Sequence, residues 1–556
     1  MKPNTRYPIP NPCSASKSIF ALGLILAVTL LGWRGEPTSV LAHGGETHKE
    51  QPKAMPKEVK QDPSGHSHSG SAESGHSHSH GQGRSVTVGA TVYKHMCIFC
   101  HGEDGNGGGK AMAYLYPWPR DFRKGVFKHR STPTGSLPLD KDIFDTITKG
   151  IPGTAMPAWE NALTEDETWS VVEYLKTFSN RFKNETPQKP VTPGPVPPST
   201  KESIEAGHQI FQEMRCARCH GTDLKGDGPI ADSLYDIWDH RVFVYDLTNP
   251  NTFKFGFDKE DIFMTLSTGI DGTPMKAYNH LTSKERWDLA SFVHSRIQTD
   301  RYRKAKYEVT LKSEMVEGDI GIDPYSELWD PVPATNVHLI VLNARRDPIT
   351  RVQFQSVTNG KQIAFRVQWE DPVPNRSSSR HQDFKDAVAL EFALGDVLLH
   401  THGHNEPFFG MGNREKPVNI WQWRADWQKE IETKEELEQA TEGQGMDMDV
   451  MIFGGEVNPV ESLNPFREVP IEEMNAEGFG TLTPQPKTKQ NIRGKGLWKD
   501  GKWTVVFIRD IESLNKWDIQ FNKKQPILIG FAVWDGLHKD RNGRKTVSMW
   551  QRLILP

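Results

Sequence analysis

Two five-residue strings carry the clearest chemistry in this chain: Cys97-Ile98-Phe99-Cys100-His101 and Cys216-Ala217-Arg218-Cys219-His220. A pair of thiols three positions apart, followed at once by an imidazole, is the pattern that attaches a c-type haem. The thiols add to the two vinyl groups, and the histidine reaches the iron from the proximal side. Disulfides or a Cys-rich zinc site would draw on the same residue types. Against them, each second cysteine is followed directly by His and then by Gly102 or Gly221.

A sixth ligand follows from an internal repeat. Cys97 and Cys216 are offset by 119 positions, and so are Met156 and Met275. The string Thr146-Ile147-Thr148-Lys149-Gly150-Ile151-Pro152-Gly153-Thr154-Ala155-Met156 matches Thr265-Leu266-Ser267-Thr268-Gly269-Ile270-Asp271-Gly272-Thr273-Pro274-Met275. A fixed offset means two copies of one unit. The Gly- and Pro-bearing loops suit a thioether presented from irregular backbone, although both methionines could instead fill a core. His129, His240 and His280 are rival ligands. His129 has no counterpart, because Thr248 stands 119 positions on. His/Met ligation raises the reduction potential and leaves no open iron position, which suits electron transfer.

Both copies resemble the monohaem cytochrome c domain, over residues 86–182 and 203–298, and the resemblance implies a small all-α fold for each. Thr164-Glu165-Asp166-Glu167 and Thr282-Ser283-Lys284-Glu285 read as capping boxes. Behind them Trp169, Val172 and Leu175, and Trp287, Ala290 and Val293, share one helical face. A closing helix is therefore expected after each methionine loop.

The remaining chain positions these two units. Its 556 residues suggest three or four domains. The formal net charge of −4 gives no argument for a nucleic-acid partner. Four of the five cysteines lie in the haem strings and the fifth is Cys13, so none remains for an iron–sulfur cluster, a disulfide or a thiol nucleophile. Residues 1–42 read as an export signal, with Lys2, Arg6 and Lys17 before the apolar run Ile19–Trp33, and Val40-Leu41-Ala42 offering a cleavage site. An uncleaved anchor is the alternative; either way a periplasmic location is expected, with membrane association only indirect or through this N-terminus. Residues 43–85 are rich in His, Ser and Gly and read as a disordered tether able to bind metal loosely. Residues 183–202 form a Pro-rich linker, expected to be semi-extended and to hold the two haem domains at a controlled distance.

From residue 308 to 556 the period changes to two. Val352 and Phe354, then Ile363, Phe365, Val367 and Trp369, alternate around an Asn359-Gly360 hairpin turn. Further strands are predicted at Val337–Leu342, Ala387–Leu394, Trp503–Arg509 and Ile527–Trp534, with helical patterning only at Lys434–Gln439. Gly454–Lys495 reads as a polar insertion between strands. The expected architecture is multidomain: two all-α cytochrome c domains followed by an all-β sandwich.

Within this half, Pro407-Phe408-Phe409-Gly410-Met411-Gly412, Pro417–Asp426, Asp386–Phe392 and Phe531–Gly536 resemble the haem b-binding gamma subunit of ethylbenzene dehydrogenase and its relatives. Those subunits accompany molybdenum enzymes of the dimethyl sulfoxide reductase family, nitrite oxidoreductase among them. The resemblance implies a β-sandwich holding a non-covalent haem b between a Met and a Lys. Met411 stands in the matching Met-Gly loop, and Lys545 in the matching C-terminal place, with Lys502 and Lys539 as rivals. His400, His402 and His404 depart from the pattern, and one of them could replace the lysine.

The implied function is a multihaem electron-transfer subunit with two covalent haems c and one haem b. The cofactor-binding set is Cys97, Cys100, His101 and Met156; Cys216, Cys219, His220 and Met275; and Met411 with Lys545. Implied partners are the iron–sulfur (beta) and molybdenum (alpha) subunits and a periplasmic cytochrome or respiratory chain. Two other readings stand beside it. One is a haem peroxidase, which needs an open iron. The other is a dihaem cytochrome c with a haem-free ligand- or sugar-binding β-sandwich, where Trp421, Trp423 and Trp427 would stack on a sugar or fill the core.

Overall fold

The structure, a computed structural model, describes residues 84–377, 380, 382–399, 404–441, 468–521 and 525–556. The expected export signal, nearly all of the His-rich segment, and His400 and His402 lie outside them. All described residues belong to one compact unit that begins at Ser79.

The first repeat runs from α1 (Val86–Val92) through a π-turn (Tyr93–Cys97) into the short α2 (Ile98–His101). A long loop leads to α3 (Asp140–Lys149), and α4 (Glu165–Lys176) and α5 (Arg181–Asn184) close the unit. The second repeat has α6 (Lys201–Glu213), α7 (Ala217–His220), α8 (Lys259–Thr268) and α9 (Ser283–Ser295). Both expected closing helices are present. In α4 and α9 the Thr164/Glu167 and Thr282/Glu285 capping boxes are formed. They satisfy backbone N–H groups that the first helical turn leaves without partners. The apolar stripes behind them are buried, with Val172 and Ala290 fully inaccessible. Helices α1 and α4, and α6 and α9, cross at a glycine in each copy. A Cβ on Gly89 would lie 2.0 Å from the Ser170 carbonyl oxygen, and one on Gly207 2.0 Å from that of Asp288. Only a residue without a side chain allows backbones that close.

The linker is bonded to the first unit. Val191 N–H donates to the Ser131 carbonyl at 2.8 Å and Gln188 N–H to Ser136 Oγ at 2.9 Å. The units meet directly. Buried Arg130 pairs with Asp271 at 2.8 Å, and Asp271 also accepts from Gly135 N–H at 2.9 Å.

The C-terminal half is β-rich and builds two facing sheets. Its elements are β1 (Thr310–Lys312), β2 (Glu314–Met315), β3 (Thr335–His338), β4 (Ile340–Val341), β5 (Arg351–Thr358), β6 (Gln362–Glu370), β7 (Ala387–Ala393), β8 (Val418–Arg424), α10 (Ala425–Thr441), β9 (Ile471–Ala476), β10 (Thr483–Pro484), β11 (Arg493–Lys499), β12 (Lys502–Asp510), β13 (Ile527–Trp534), β14 (Thr546–Val547) and β15 (Gln551–Ile554). One sheet has the order β1-β15-β13-β7-β8-β9-β10, with β14 joining β13 to β4. The other has the order β11-β12-β6-β5-β2, with β3 on β5. Between them lies a core of Phe354, Phe365, Trp369, Phe392, Trp421, Trp423, Trp503 and Phe531. Trp421 and Trp423 are wholly buried and Trp427 nearly so, which removes them as a sugar platform.

Three expectations for this half need correction. The unit is not all-β, because α10 is a 17-residue helix. Gly454–Lys495 is not simply an insertion: residues 471–476 form β9, paired along β8, and β11 begins at Arg493. Adjacent Glu472 and Glu473 hide the strand pattern, and Glu473 is nevertheless fully buried beside Arg509 at 3.7 Å. Finally, Val337–Leu342 is two short strands parted at Leu339, β3 in one sheet and β4 in the other. Among the described residues no helix is long and apolar enough to cross a membrane.

Candidate haem sites

Each Cys-x-x-Cys-His string is a single helical turn closed by a glycine. Gly102 has φ 76° and ψ 164°, and Gly221 φ 77° and ψ 161°, so the two turns end in the same positive-φ conformation, one open essentially only to glycine. The four cysteines are unpaired. Burial lowers the pKa of His101 and of His220 to about 4, which keeps both imidazoles neutral, as an iron ligand requires. His101 Nδ1 lies 3.2 Å from the Arg120 carbonyl oxygen. Donation there leaves Nε2 as the ligating nitrogen.

The methionine loops match bond for bond. Ile151 N–H donates to the Met156 carbonyl at 3.0 Å, and Ile270 N–H to that of Met275 at 2.9 Å. Thr154 Oγ1 accepts from Met156 N–H, and Thr273 Oγ1 from Met275 N–H, both at 3.2 Å. Met156 packs on a core that Cys97 also borders, and Met275 on one bordered by Cys216. The rival histidines are engaged elsewhere. His129 meets Thr146 Oγ1 at 3.1 Å and stacks on Phe255; His240 lies on Trp118; His280 contacts the Met214 sulfur at 3.4 Å. Thiols, neutral imidazoles and paired methionine loops thus fit a c-type haem in each unit.

The third candidate site lies on the outer face of the sandwich. Along β7 the inward residues Val388, Leu390 and Phe392 join the core. The outward ones are Ala387, Ala389, Glu391 and Ala393, facing Trp534, Ala532, Gly530 and Leu528 on or beside paired β13. This floor of alanine and glycine is bordered by Leu528, Trp534 and Trp550, and a carboxylate stands in its middle. Glu391 Oε1 accepts from Met411 N–H at 2.8 Å. Lys545 extends β14 beside Trp534 and places its Nζ 4.7 Å from the Trp534 ring. Burial lowers the Lys545 pKa while the Glu391 carboxylate opposes that shift; burial raises Glu391 itself to about 8. Met411 and Lys545 both border Glu391, and a thioether and a lysine whose pKa burial lowers are donor types that an iron can take. Lys502 and Lys539 are exposed. His404 is buried and bonded to Glu167 of α4 at 3.1 Å, so it braces the first unit against the sandwich. Glu391 escaped the sequence reading, though one acid inside the apolar run Ala387–Ala393 was a signal.

Two junctions connect the sites. Phe99, between the first pair of cysteines, stacks on Phe408 with ring centroids 4.2 Å apart and planes at 26°. Phe408 precedes Met411 by three residues. The second junction is reciprocal. Phe122 N–H bonds the Gly105 carbonyl as Leu247 N–H bonds that of Leu224, both at 2.8 Å, so Arg120 and Tyr245 hold equivalent places. Tyr245 donates its hydroxyl to the Gly153 carbonyl in the Met156 loop at 3.0 Å. Arg120 lies over the Trp238 ring at 4.2 Å, with Nη1 3.2 Å from where a Cβ on Gly272 would stand in the Met275 loop. Each unit thus touches the other's methionine loop, as across a two-fold axis.

Comparison with known proteins agrees with this division. The family model for ethylbenzene dehydrogenase matches residues 326–546. The model for subunit III of cbb3-type cytochrome c oxidase matches 84–175, and that for cytochrome c matches 204–296. The chain is a fusion of two cytochrome c domains with an ethylbenzene dehydrogenase-type domain. It is 28% identical over 249 residues to a protein named as a respiratory nitrate reductase haem subunit in Haloferax mediterranei, covering 44% of this chain and 71% of that one. It is 24% identical to the chlorate reductase gamma subunit of Ideonella dechloratans, covering 42% and 81%. It is also 24% identical to the dimethylsulfide dehydrogenase gamma subunit of Rhodovulum sulfidophilum, covering 41% and 72%.

Proposed function

We propose that this chain is the electron-transfer subunit of a periplasmic molybdenum oxidoreductase complex of the nitrite oxidoreductase type. Cys97 and Cys100, and Cys216 and Cys219, carry two covalent haems c, ligated by His101 with Met156 and by His220 with Met275. Met411 and Lys545 hold one non-covalent haem b. Bound haem supplies an iron that takes up and releases one electron at a time. The chain exchanges electrons with the iron–sulfur (beta) subunit, beside the molybdenum (alpha) subunit, and with a respiratory carrier. It does no substrate chemistry itself.

The observation that carries this reading is the stack of Phe99 on Phe408. It seats the covalent-attachment turn of the first cytochrome unit against the loop that presents Met411. A sandwich serving only to bind a sugar gives no reason for that contact. Relatives named as gamma subunits support the partner assignment, and they include both a reductase and a dehydrogenase. Two His/Met haems suit the high-potential exit that electrons from nitrite require.

Acid–acetone extraction followed by pyridine haemochrome spectra tests the haem assignment. Two covalent haems c and one extractable haem b are expected, with Met411→Ala losing only the extractable one. Absence of extractable haem overturns the haem b site. In the purified complex, nitrite should reduce the haems; reduction by dimethyl sulfide but not by nitrite overturns the nitrite assignment.

A further inference from the structure

The cleft between the two cytochrome units holds more positive charge than its own residues balance. Arg120 enters it from the first unit and Lys254 from the second, and Lys128 of the first unit is near enough for the charges of both to act on it. Among the described residues none of the three has an ion-pair partner within 4.0 Å, whereas neighbouring Asp121 and Asp271 are already paired with Arg123 and Arg130. Asp236, the remaining carboxylate there, accepts from the backbone N–H groups of Trp238 and His240. Two buried donors have no acceptor, Arg120 Nη2 and Trp238 Nε1. Desolvation lowers Lys254 to about 8 and Lys128 well below the usual lysine range. Desolvation disfavours the charged forms of these groups, and an anion placed among them would offset that cost and satisfy the two unpartnered donors.

The placement says whose anion. Arg120 follows the backbone of the first haem site, since its carbonyl accepts from His101, while its guanidinium reaches Gly272 in the second unit's methionine loop. Lys254 stands in the second unit beside Tyr245, the counterpart of Arg120. Its Nζ lies 4.6 Å from the Tyr245 ring, whose hydroxyl is bonded to Gly153 in the first unit's methionine loop.

We propose that this cleft is a shared carboxylate pocket, in which Arg120, Lys128, Lys254 and Trp238 bind propionate groups of both haems and each unit supplies a cation to the other unit's haem. The proposal rests on the two-haem c reading. Its consequence is that the two reduction potentials are set jointly. A cation beside a propionate disfavours the extra positive charge of the oxidised iron and raises the potential.

The test is spectroelectrochemical titration of the full chain, after haemochrome spectra have counted the haems. Absence of covalent haem would defeat the proposed function itself, not the pocket alone. With both haems present, Lys254→Gln should lower the midpoint of the first unit's haem, which lies in a domain that does not contain Lys254. A tenfold change in its reduction equilibrium is expected, equivalent to about 59 mV for one electron. Arg120→Gln should lower both midpoints. Lys254→Arg should restore the wild-type value, and exposed Lys201→Gln should change neither. A shift confined to the second unit's haem, or midpoints that follow phosphate concentration as for a free anion, would overturn the shared pocket.

Discussion

Phe99 and Phe408 stack at 4.2 Å across the boundary between the first cytochrome unit and the sandwich. Such a pair contributes about 0.5–1.5 kcal/mol beyond the area it buries. Phe99→Leu and Phe408→Leu should therefore each destabilise the docked arrangement, and the double variant should lose less than their sum by about 1 kcal/mol. Denaturant unfolding followed at the haem c absorbance measures this, and additive losses would show that the rings do not interact.

The same boundary carries a pH dependence. Glu406 and Glu167 raise the pKa of His404 above its ordinary value, although burial opposes them. A raised folded-state value means the stabilisation is complete below the unfolded histidine pKa. It is lost as pH rises through the folded one. Thermal stability of the boundary should hold below about pH 6.5, the ordinary histidine value, and fall as pH rises above it, and His404→Gln should flatten that profile. An unchanged profile would place the charge elsewhere.

Within the sandwich, Arg509 is buried over the Trp421 and Phe521 rings, 3.7 Å from Glu473 and 4.0 Å from Asp518. Arg509→Met leaves two carboxylates without a cation and should cost about 3–5 kcal/mol. Adding Glu473→Gln and Asp518→Asn should recover part of it. Urea midpoints of the three proteins give the comparison, and a single variant as stable as wild type would contradict the network.

Glu391 should act on the proposed haem b alone. It holds Met411 by its backbone N–H, in a residue whose φ of 80° is unusual for a side-chain-bearing position. Glu391→Ala should reduce extractable haem severalfold while leaving covalent haem unchanged. Full retention would mean that Met411 is placed by its loop alone.

The sequence by itself determined what depends on short separations and side-chain type. The two Cys-x-x-Cys-His turns, the matched methionine loops, both capping boxes and the hairpin at Asn359-Gly360 are each legible within a dozen residues, because backbone geometry there is set by neighbours in the chain. Only the tertiary structure decided the rest. Arg120 and Tyr245 are equivalent, yet six residues gained before Tyr245 and lost again before α8 break the 119-residue offset that would have paired them. β9 was hidden because Glu473 is charged, and its place in the sheet depends on Arg509, a residue 36 positions away. The linker composition suggested only a semi-extended segment holding the domains at a controlled distance, whereas the structure shows Asp271, Tyr245 and Trp238 bringing them into direct contact. Glu391 between Met411 and Lys545, and Phe99 against Phe408, join segments that approach only when the sheet and the docked cytochrome unit are assembled. Burial and long-range packing, which no local pattern encodes, chose those neighbours.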